Sequence, residues 1–263
     1  MAVDDAILES YATAEHPPPP TLRLYSWAPA ALSLGRGQPA HGSCEPAFLR
    51  RQGIDLVRRP TGGLAVLHEH ERTYSVCGPL RGGDFSGRVL EIYVRLAQTL
   101  VAALRRLGLE AQLAASGAAA SPADAPVPAC FHQATAHEIT WRGKKLIGSA
   151  QLRRRRAFLQ HGSILLRLDA ERLAAAVGRE FCDDSSTDLR SALGREPCRD
   201  ELDHAIGAAV EESFQTRLTR GTLTSDEALR ASQLYSWKYL SAEWTLGRTI
   251  GAREERWGPL RAR

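Results

Sequence analysis

The sequence predicts an α/β fold, built as one large domain or as one domain with a small helical appendage. Three observations carry that expectation. A length of 263 residues with 43% hydrophobic and 24% charged side chains is that of an ordinary soluble globule. Short apolar runs punctuated by glycine and proline fill the first third of the chain, as strands do. A long amphipathic stretch follows, and the chain turns helical after Asp169.

Val3, Ile7, Leu8 and Tyr11 recur at helical spacing, so residues 2–14 read as a short amphipathic helix. Pro17 to Pro20 end it, because proline lacks the amide donor and forces the preceding residue to be extended. Residues 22–27 and 31–35 read as two short strands. Residues 47–52 form a brief helix, with Pro46 tolerated at its start. Residues 55–59 and 64–67 are strands around a Pro60-Thr61-Gly62-Gly63 turn, and 73–77 is a third. From 87 to 107 the pattern Val89, Ile92, Tyr93, Leu96, Leu100, Ala103, Leu104 gives a helix whose apolar face packs on the sheet. Residues 113–129, mostly Ala, Ser and Pro without period, read as a mobile loop leading to Cys130. Residues 137–168 read as a hairpin turning at Arg153 to Arg156. Helices are expected near 170–177, 200–218 and 225–239, and the last fifteen residues read as loosely attached.

Several functional classes are disfavoured at once. A formal charge of +4, spread as mixed signs, is too mild for a nucleic-acid face, and no recognition module is present. No apolar run approaches the roughly 20 residues that cross a bilayer. Asp4, Asp5 and Glu9 interrupt the place where a secretory signal would have its apolar core. Cys44, Cys77, Cys130, Cys182 and Cys198 are odd in number and contain no CxxC pair, which suits reduced thiols in a cytoplasmic protein.

The cations are the most unequal feature: three lysines against thirty-one arginines, with Lys144 and Lys145 side by side. Lysine offers a compact ammonium that donates one focused hydrogen bond or tunes a neighbouring pKa, which guanidinium does not. Cys130, fifteen residues before Lys145, supplies a nucleophile to pair with it. The alternative for Cys130 is a buried, inert thiol. Arg58-Arg59-Pro60-Thr61-Gly62-Gly63 permits close backbone approach to a ligand, with His68 a strand's length away; the alternative is a tight hairpin with a solvated arginine pair. Gly35-Arg36-Gly37-Gln38 lacks the third glycine and following helix of a dinucleotide fingerprint. His132 and His137 read either as a Cys/His dyad with Cys130 or as part of a metal site, and His68 and His70 as sharing a strand face, but no set of spaced cysteines or carboxylates completes four metal ligands. Arg153 to Arg156 read either as a solvated turn or as a docking patch for an acidic partner.

Two blocks together resemble a known family. The first is Arg58-Arg59-Pro60-Thr61-Gly62-Gly63 with Ala65-Val66-Leu67-His68 and Thr73-Tyr74-Ser75-Val76. The second is Cys130-Phe131, Glu138, Gly143-Lys144-Lys145-Leu146-Ile147-Gly148-Ser149-Ala150-Gln151 and Leu159-Gln160-His161-Gly162-Ser163. They are similar to the biotin/lipoate protein ligase-like family, most closely its cysteine-dependent branch of octanoyl-[acyl-carrier protein]:protein octanoyltransferases. The likeness extends from the opening helix to the region of Lys238-Tyr239 and Glu243-Trp244. Leu64 departs from it, standing where ATP-dependent lipoate ligases carry a third glycine against the adenylate; Arg72, in place of an apolar residue, is given no consequence.

The resemblance implies an α/β (α+β) fold with a mixed, largely antiparallel sheet flanked by helices. Residues 1–263 would form a single catalytic domain, of which 170–245 is a helical C-terminal segment. It also implies acyl transfer through a Cys130 thioester, with Lys145 hydrogen-bonding the substrate carbonyl. Gly62, Gly63 and His68 would line the acyl channel, Arg58 and Arg59 its mouth, and Gly148, Ser149, Ala150, His161 and Gly162 would add substrate contacts. The donor would be octanoyl-acyl carrier protein. The acceptor would be a lipoyl-domain protein, either glycine cleavage H protein or a 2-oxoacid dehydrogenase E2. No cofactor, metal, nucleic acid or membrane is expected. An ATP-dependent lipoate ligase, an octanoyl amidotransferase between lipoyl-domain proteins and a non-catalytic binding module of the same fold stay open.

Overall fold

The computed structural model describes residues 1–81, 84–115, 137–179 and 185–247. In chain order the elements begin with α1 (Ala2–Thr13), β1 (Thr21–Tyr25), β2 (Ala31–Leu34), α2 (Pro46–Arg51), β3 (Asp55–Arg58), β4 (Val66–His68) and β5 (Glu71–Pro79). There follow α3 (Val89–Arg106), β6 (Gln112–Leu113), β7 (Ile139–Trp141), β8 (Lys144–Arg154) and β9 (Ala157–Leu165). The rest is α4 (Ala170–Val177), α5 (Leu189–Leu193), α6 (Arg199–Ser213), α7 (Ser225–Leu234), a π turn (Tyr235–Tyr239) and α8 (Ala242–Thr245). Six strands form one antiparallel sheet in the order β1-β5-β9-β8-β7-β6, and three form a second, β3-β2-β4. The fold is therefore mixed α/β with a large antiparallel sheet and a helical C-terminal segment, as the sequence led one to expect.

Strand alternation divides the large sheet into two faces. Tyr74, Val76, Phe158, Ile147 and Ile164 lie in one apolar cluster with Ile92, Leu96, Leu100 and Leu104 of α3 and Leu202, Ile206 and Ala209 of α6. Full burial of each such aliphatic side chain contributes roughly 1.5–3 kcal/mol, so the period of α3 holds that helix in place. The opposite face carries Thr73, Ser75, His161 and Ser163, all buried. Part of it is covered by Ile7, Leu8 and Tyr11 of α1, which pack on Cys77 and Leu159. In the small sheet, Leu32, Leu34, Leu49, Ile54 and Ala65 pack on Leu173, Ala176 and Val177 of α4.

Three local expectations change. The strands flanking the Gly-Gly turn do not pair with one another: β2 lies between them, parallel to β3 and antiparallel to β4. Every residue of β2 is buried, so it needs a partner on both edges. The segment 137–168 is a three-stranded meander rather than one hairpin, because Arg142 and Gly143, both at positive φ, make a further two-residue turn between β7 and β8. The expected helix over 225–239 stops at Leu234, and the π turn after it brings both Lys238 Nζ (2.7 Å) and Tyr239 Oη (3.0 Å) onto Asp5 Oδ2 of α1. Arg72, without assigned consequence from sequence, donates to Asp203 of α6 at 2.8 Å. The last fifteen residues and most of 113–129 lie outside the described residues. Among the described residues no helix is long and apolar enough to cross a membrane.

Candidate active site

Between the polar face of the large sheet and the small sheet lies a pocket open to solvent, with about 420 Å³ of empty space counted out through its mouth. Its walls are Arg59, Gly63, Val66, His68 and Ser33 on one side, and Thr73, Gly148, Ser149, Ala150, His161, Gly162 and Ser163 on the other, with Met1 at one edge. Eight of the sequence-predicted substrate residues meet here: Arg59, Gly63, His68, Gly148, Ser149, Ala150, His161 and Gly162. They come from strands that are distant in sequence. Gly162 lies directly between Ser149 and Tyr74 in the sheet.

Two glycines permit the cavity. A Cβ on Gly35 would stand 1.8 Å from Gly63 O, so only glycine lets the chain leaving β2 touch the Gly-Gly turn. A Cβ on Gly162 would stand 2.5 Å from Tyr74 Cε1 and 2.6 Å from Gly148 O, both parts of a packed sheet that has no room to shift.

The polar groups of the wall are fixed by one another. Arg59 donates to Ser33 O (3.0 Å), Ser33 Oγ (3.1 Å), Gly62 O (2.8 Å) and Leu64 O (2.7 Å). Arginine only donates, so the Ser33 hydroxyl accepts from it and its own hydrogen is left for His68 Nε2 at 2.8 Å. His68 Nδ1 stands 3.4 Å from Glu71 Oε1. Glu71 in turn accepts from Thr73 Oγ1 and Ser163 Oγ, each at 2.7 Å. Trp27 stacks on His68 with ring centroids 4.3 Å apart.

His161 is the other titratable group of the wall. Its Nε2 lies 2.6 Å from Thr61 Oγ1, while Nδ1 is buried without a hydrogen-bond partner. Burial pushes its pKa down to about 3, helped by the charge of Arg59 and opposed by Asp4. The imidazole is thus neutral in the folded protein above about pH 3. The unfolded chain binds this proton below about 6.5 and the folded chain does not. Stability from this site is therefore complete above pH 6.5 and falls by about 1.4 kcal/mol per pH unit down to about pH 3. Urea unfolding at pH 7, 5.5 and 4.5 should show a steeper loss in the wild type than in His161→Gln. Parallel slopes would mean that the imidazole is protonated in the folded state.

Lys145 and Lys144 separate as strand alternation requires. Ile139 faces Ile147 across β7 and β8, but Thr140 faces Lys145, so one extra residue is inserted in β8. Leu146 and Ile147 consequently both enter the apolar cluster. Lys145 shares the face of Thr140, opposite to that cluster, which is also the face of Gly148. It is 1% exposed, with Nζ 2.5 Å from Glu138 Oε1. Lys144 is half-buried and points to the other side. Lys145 itself is not among the cavity-lining residues; it lies three residues, about 10 Å of strand, from Gly148.

Cys130 and His132 lie outside the described residues, as does Cys182. The flanks of that segment are described. Ala114 N donates to Glu138 O (2.8 Å) and His137 N to Ala114 O (3.1 Å). Continuing the β7–β8 register puts His137 and Glu138 level with Gly148 and Ser149. None of the three described cysteines lines the cavity. Burial pushes the thiols of Cys77 and Cys44 up, and Cys198 caps α6. Among the described residues no group of three or more His, Cys, Asp and Glu has metal-site geometry.

Two predicted contacts do not reach the cavity. Gly62 serves it through its carbonyl, held by Arg59. Arg58 is 0% exposed and faces the other way. It donates to Gly35 O (2.5 Å), Gln38 O (2.6 Å), Trp244 O (3.0 Å) and Thr245 O (2.7 Å), while Trp244 Nε1 donates back to Arg58 O at 2.9 Å. It is a fastener between the C-terminal segment and the loop behind the Gly-Gly turn, not a residue of the cavity mouth. Ser33, Val66, Thr73 and Ser163 line the cavity without having been singled out; the last three stood inside the two sequence blocks, which was the signal that could have found them.

The chain is similar to known proteins over most of its length. A family model described as lipoyl protein ligase A/B catalytic domain matches residues 1–211. Octanoyltransferase LipM of Kyrpidia tusciae is 39% identical over 259 residues, covering 93% of this chain and 92% of that protein. Octanoyltransferase LipM of Symbiobacterium thermophilum is 37% identical, covering 94% and 93%. A solved lipoate-protein ligase A bound with ATP is similar with a TM-score of 0.76 at 25% identity, covering 94% of this chain and 93% of its own.

Proposed function

Since the chain belongs to the lipoyl protein ligase A/B catalytic-domain family, we propose that it is an octanoyltransferase of lipoate biosynthesis working through a cysteine acyl-enzyme. Full-length likeness to proteins named octanoyltransferase LipM is the observation that carries this reading. Residues 1–263 act as one catalytic domain. The Cys130 thiolate attacks the carbonyl of octanoyl held as a thioester on acyl carrier protein. The C–S bond to the carrier breaks, the carrier leaves as its thiolate and takes up the proton that Cys130 gave up, and octanoyl-Cys130 remains. The ε-amine of a lysine on a lipoyl-domain protein, such as glycine cleavage H protein or a 2-oxoacid dehydrogenase E2, then attacks. An amide forms and the Cys130 thiol is regenerated.

Thioester to thioester is nearly isoenergetic and thioester to amide is downhill, so neither a nucleotide nor a cofactor enters. Each step passes through a tetrahedral oxyanion, and Lys145 is its cationic donor. Arg59, Gly63, His68, Gly148, Ser149, Ala150, His161 and Gly162 enclose the octanoyl chain in the cavity. Arg58 and Gly62 hold that wall from behind. The test is mixing with octanoyl-acyl carrier protein and a lipoyl domain without ATP. Octanoyl amide should form on the lipoyl domain; formation only with ATP would establish an ATP-dependent ligase instead.

The arginine run divides into two halves. Arg154 pairs with Asp5 (3.2 Å) and Glu9 (3.1 Å), and Arg153 donates to Gly87 O at 2.9 Å. Arg155 and Arg156 are exposed at the turn between β8 and β9. Docking of an acidic carrier therefore falls to Arg155 and Arg156. Changing both to serine should raise KM for carrier-bound octanoyl several-fold at low salt, with the effect fading as salt screens exposed charges. Turnover of a small octanoyl thioester should hardly change. Equal loss with both donors would mean that the turn is structural, and no loss with either would make it a solvated turn.

A further inference from the structure

Glu138 belongs to the second sequence block, yet the reaction as written gives it no part. It lies just before β7, 5% exposed, and its side chain meets that of Lys145 at 2.5 Å, with both nearly excluded from water. The register explains the meeting. Lys145 faces Thr140 across the strands, and Glu138, two residues from Thr140, shares its face. Without the extra residue in β8, Lys145 would turn toward α3 and the pair would be lost.

Both partners are anchored by main chain as well. Glu138 O accepts from Ala114 N at 2.8 Å, and Lys145 O accepts from Thr187 N at 2.9 Å. Lys145 also bridges to Ser186 in parallel register. Glu138 is therefore held at the start of β7 by the chain leaving β6, and Lys145 between β7 and the Ser186-Thr187 segment.

A buried ammonium is expensive unless a counter-charge accompanies it; otherwise it sheds its proton and becomes a neutral amine. A neutral amine stabilises an oxyanion far less than an ammonium does. An ammonium carries three N–H donors at fixed angles, so engaging one on Glu138 restricts where the others point. We infer that Glu138 is a positioning residue for acyl transfer, holding Lys145 as an oriented ammonium that donates to the reacting carbonyl. The inference rests on the role proposed above for Lys145.

The experiment is steady-state octanoyl transfer from a small octanoyl thioester to a lipoyl domain, with acylation of the enzyme read as intact mass, in the wild type, Glu138→Asp, Glu138→Gln, Lys145→Arg and Glu138→Gln/Lys145→Arg, with thermal melts alongside. Glu138→Asp keeps the charge and withdraws it by one methylene. It should fold, lose about tenfold in kcat and leave KM within about threefold. Glu138→Gln should lose about 10²-fold in kcat, the scale of one misplaced oxyanion donor. The double variant should be no slower than Lys145→Arg alone, since Glu138 acts only through that lysine. Wild-type kcat in Glu138→Asp overturns the inference even if Glu138→Gln fails to fold. So does a lowered melting temperature with unchanged kcat, or multiplied losses in the double variant. If the wild type itself takes up no octanoyl, the acyl-enzyme reading has failed and this role fails with it. A wild type that acylates normally beside equally active Glu138 variants removes the positioning role alone.

Discussion

Cys130→Ala should take up no octanoyl, and transfer to a lipoyl domain should fall by at least about 10⁴-fold, because no cysteine among the described residues is placed to substitute as nucleophile. A free thiol near pKa ~8.5 is only a few per cent thiolate at neutral pH, so a nearby ammonium increases the reactive fraction. The other described cysteines are poorly placed. The Cys77 and Cys44 thiols are pushed up by burial, Cys198 caps a helix, and none lines the cavity. Intact mass and peptide mapping read the result directly. One octanoyl on the wild type, mapped to Cys130 and formed without ATP, is the expected outcome. An adduct that persists in Cys130→Ala, or that needs ATP, ends the assignment.

Lys145→Arg should lose about 10²- to 10³-fold in kcat although the charge is kept. The planar guanidinium is larger than the ammonium it replaces, and its donors point elsewhere. The site has no slack, since Lys145 is 1% exposed and already in contact with Glu138; overpacking there costs about 1–3 kcal/mol. Lys144→Arg should stay within about twofold, because Lys144 points to the other side of β8 and is half-buried. Steady-state rates of both variants, with melts to confirm folding, make the comparison. Equal sensitivity would mean that the two lysines are not separated by the strand as described.

Most elements of the fold were legible because their signals are local. The α3 stripe, the proline that opens α2 and the strand after the Gly-Gly turn depend on neighbours within a few residues. Two features do not, and local signals could not reveal them. The chain from β3 to β4 resembles a hairpin in sequence, yet β2 enters between them because its residues are buried throughout. Arg58 and Arg59 look like a matched pair, but adjacent residues on a strand face opposite sides. One joins the cavity wall; the other fastens Trp244 and Thr245, 186 and 187 residues away.

By itself the sequence determined the residue types available for the chemistry: one lysine pair in an arginine-rich chain, a cysteine upstream, and two glycine-bearing blocks. It also determined the element order to within a few residues. Only the tertiary structure decided which of these meet. Thr61 reaches His161 across 100 residues of chain, and Lys145 is brought to Glu138 by one extra residue in β8. The physical reason is that helix and strand propensity are read over a turn or two, whereas sheet register is a long-range choice that puts a side chain on one face or the other. Shifting that register by one residue exchanges every contact, and no spacing in the linear sequence records which register was taken.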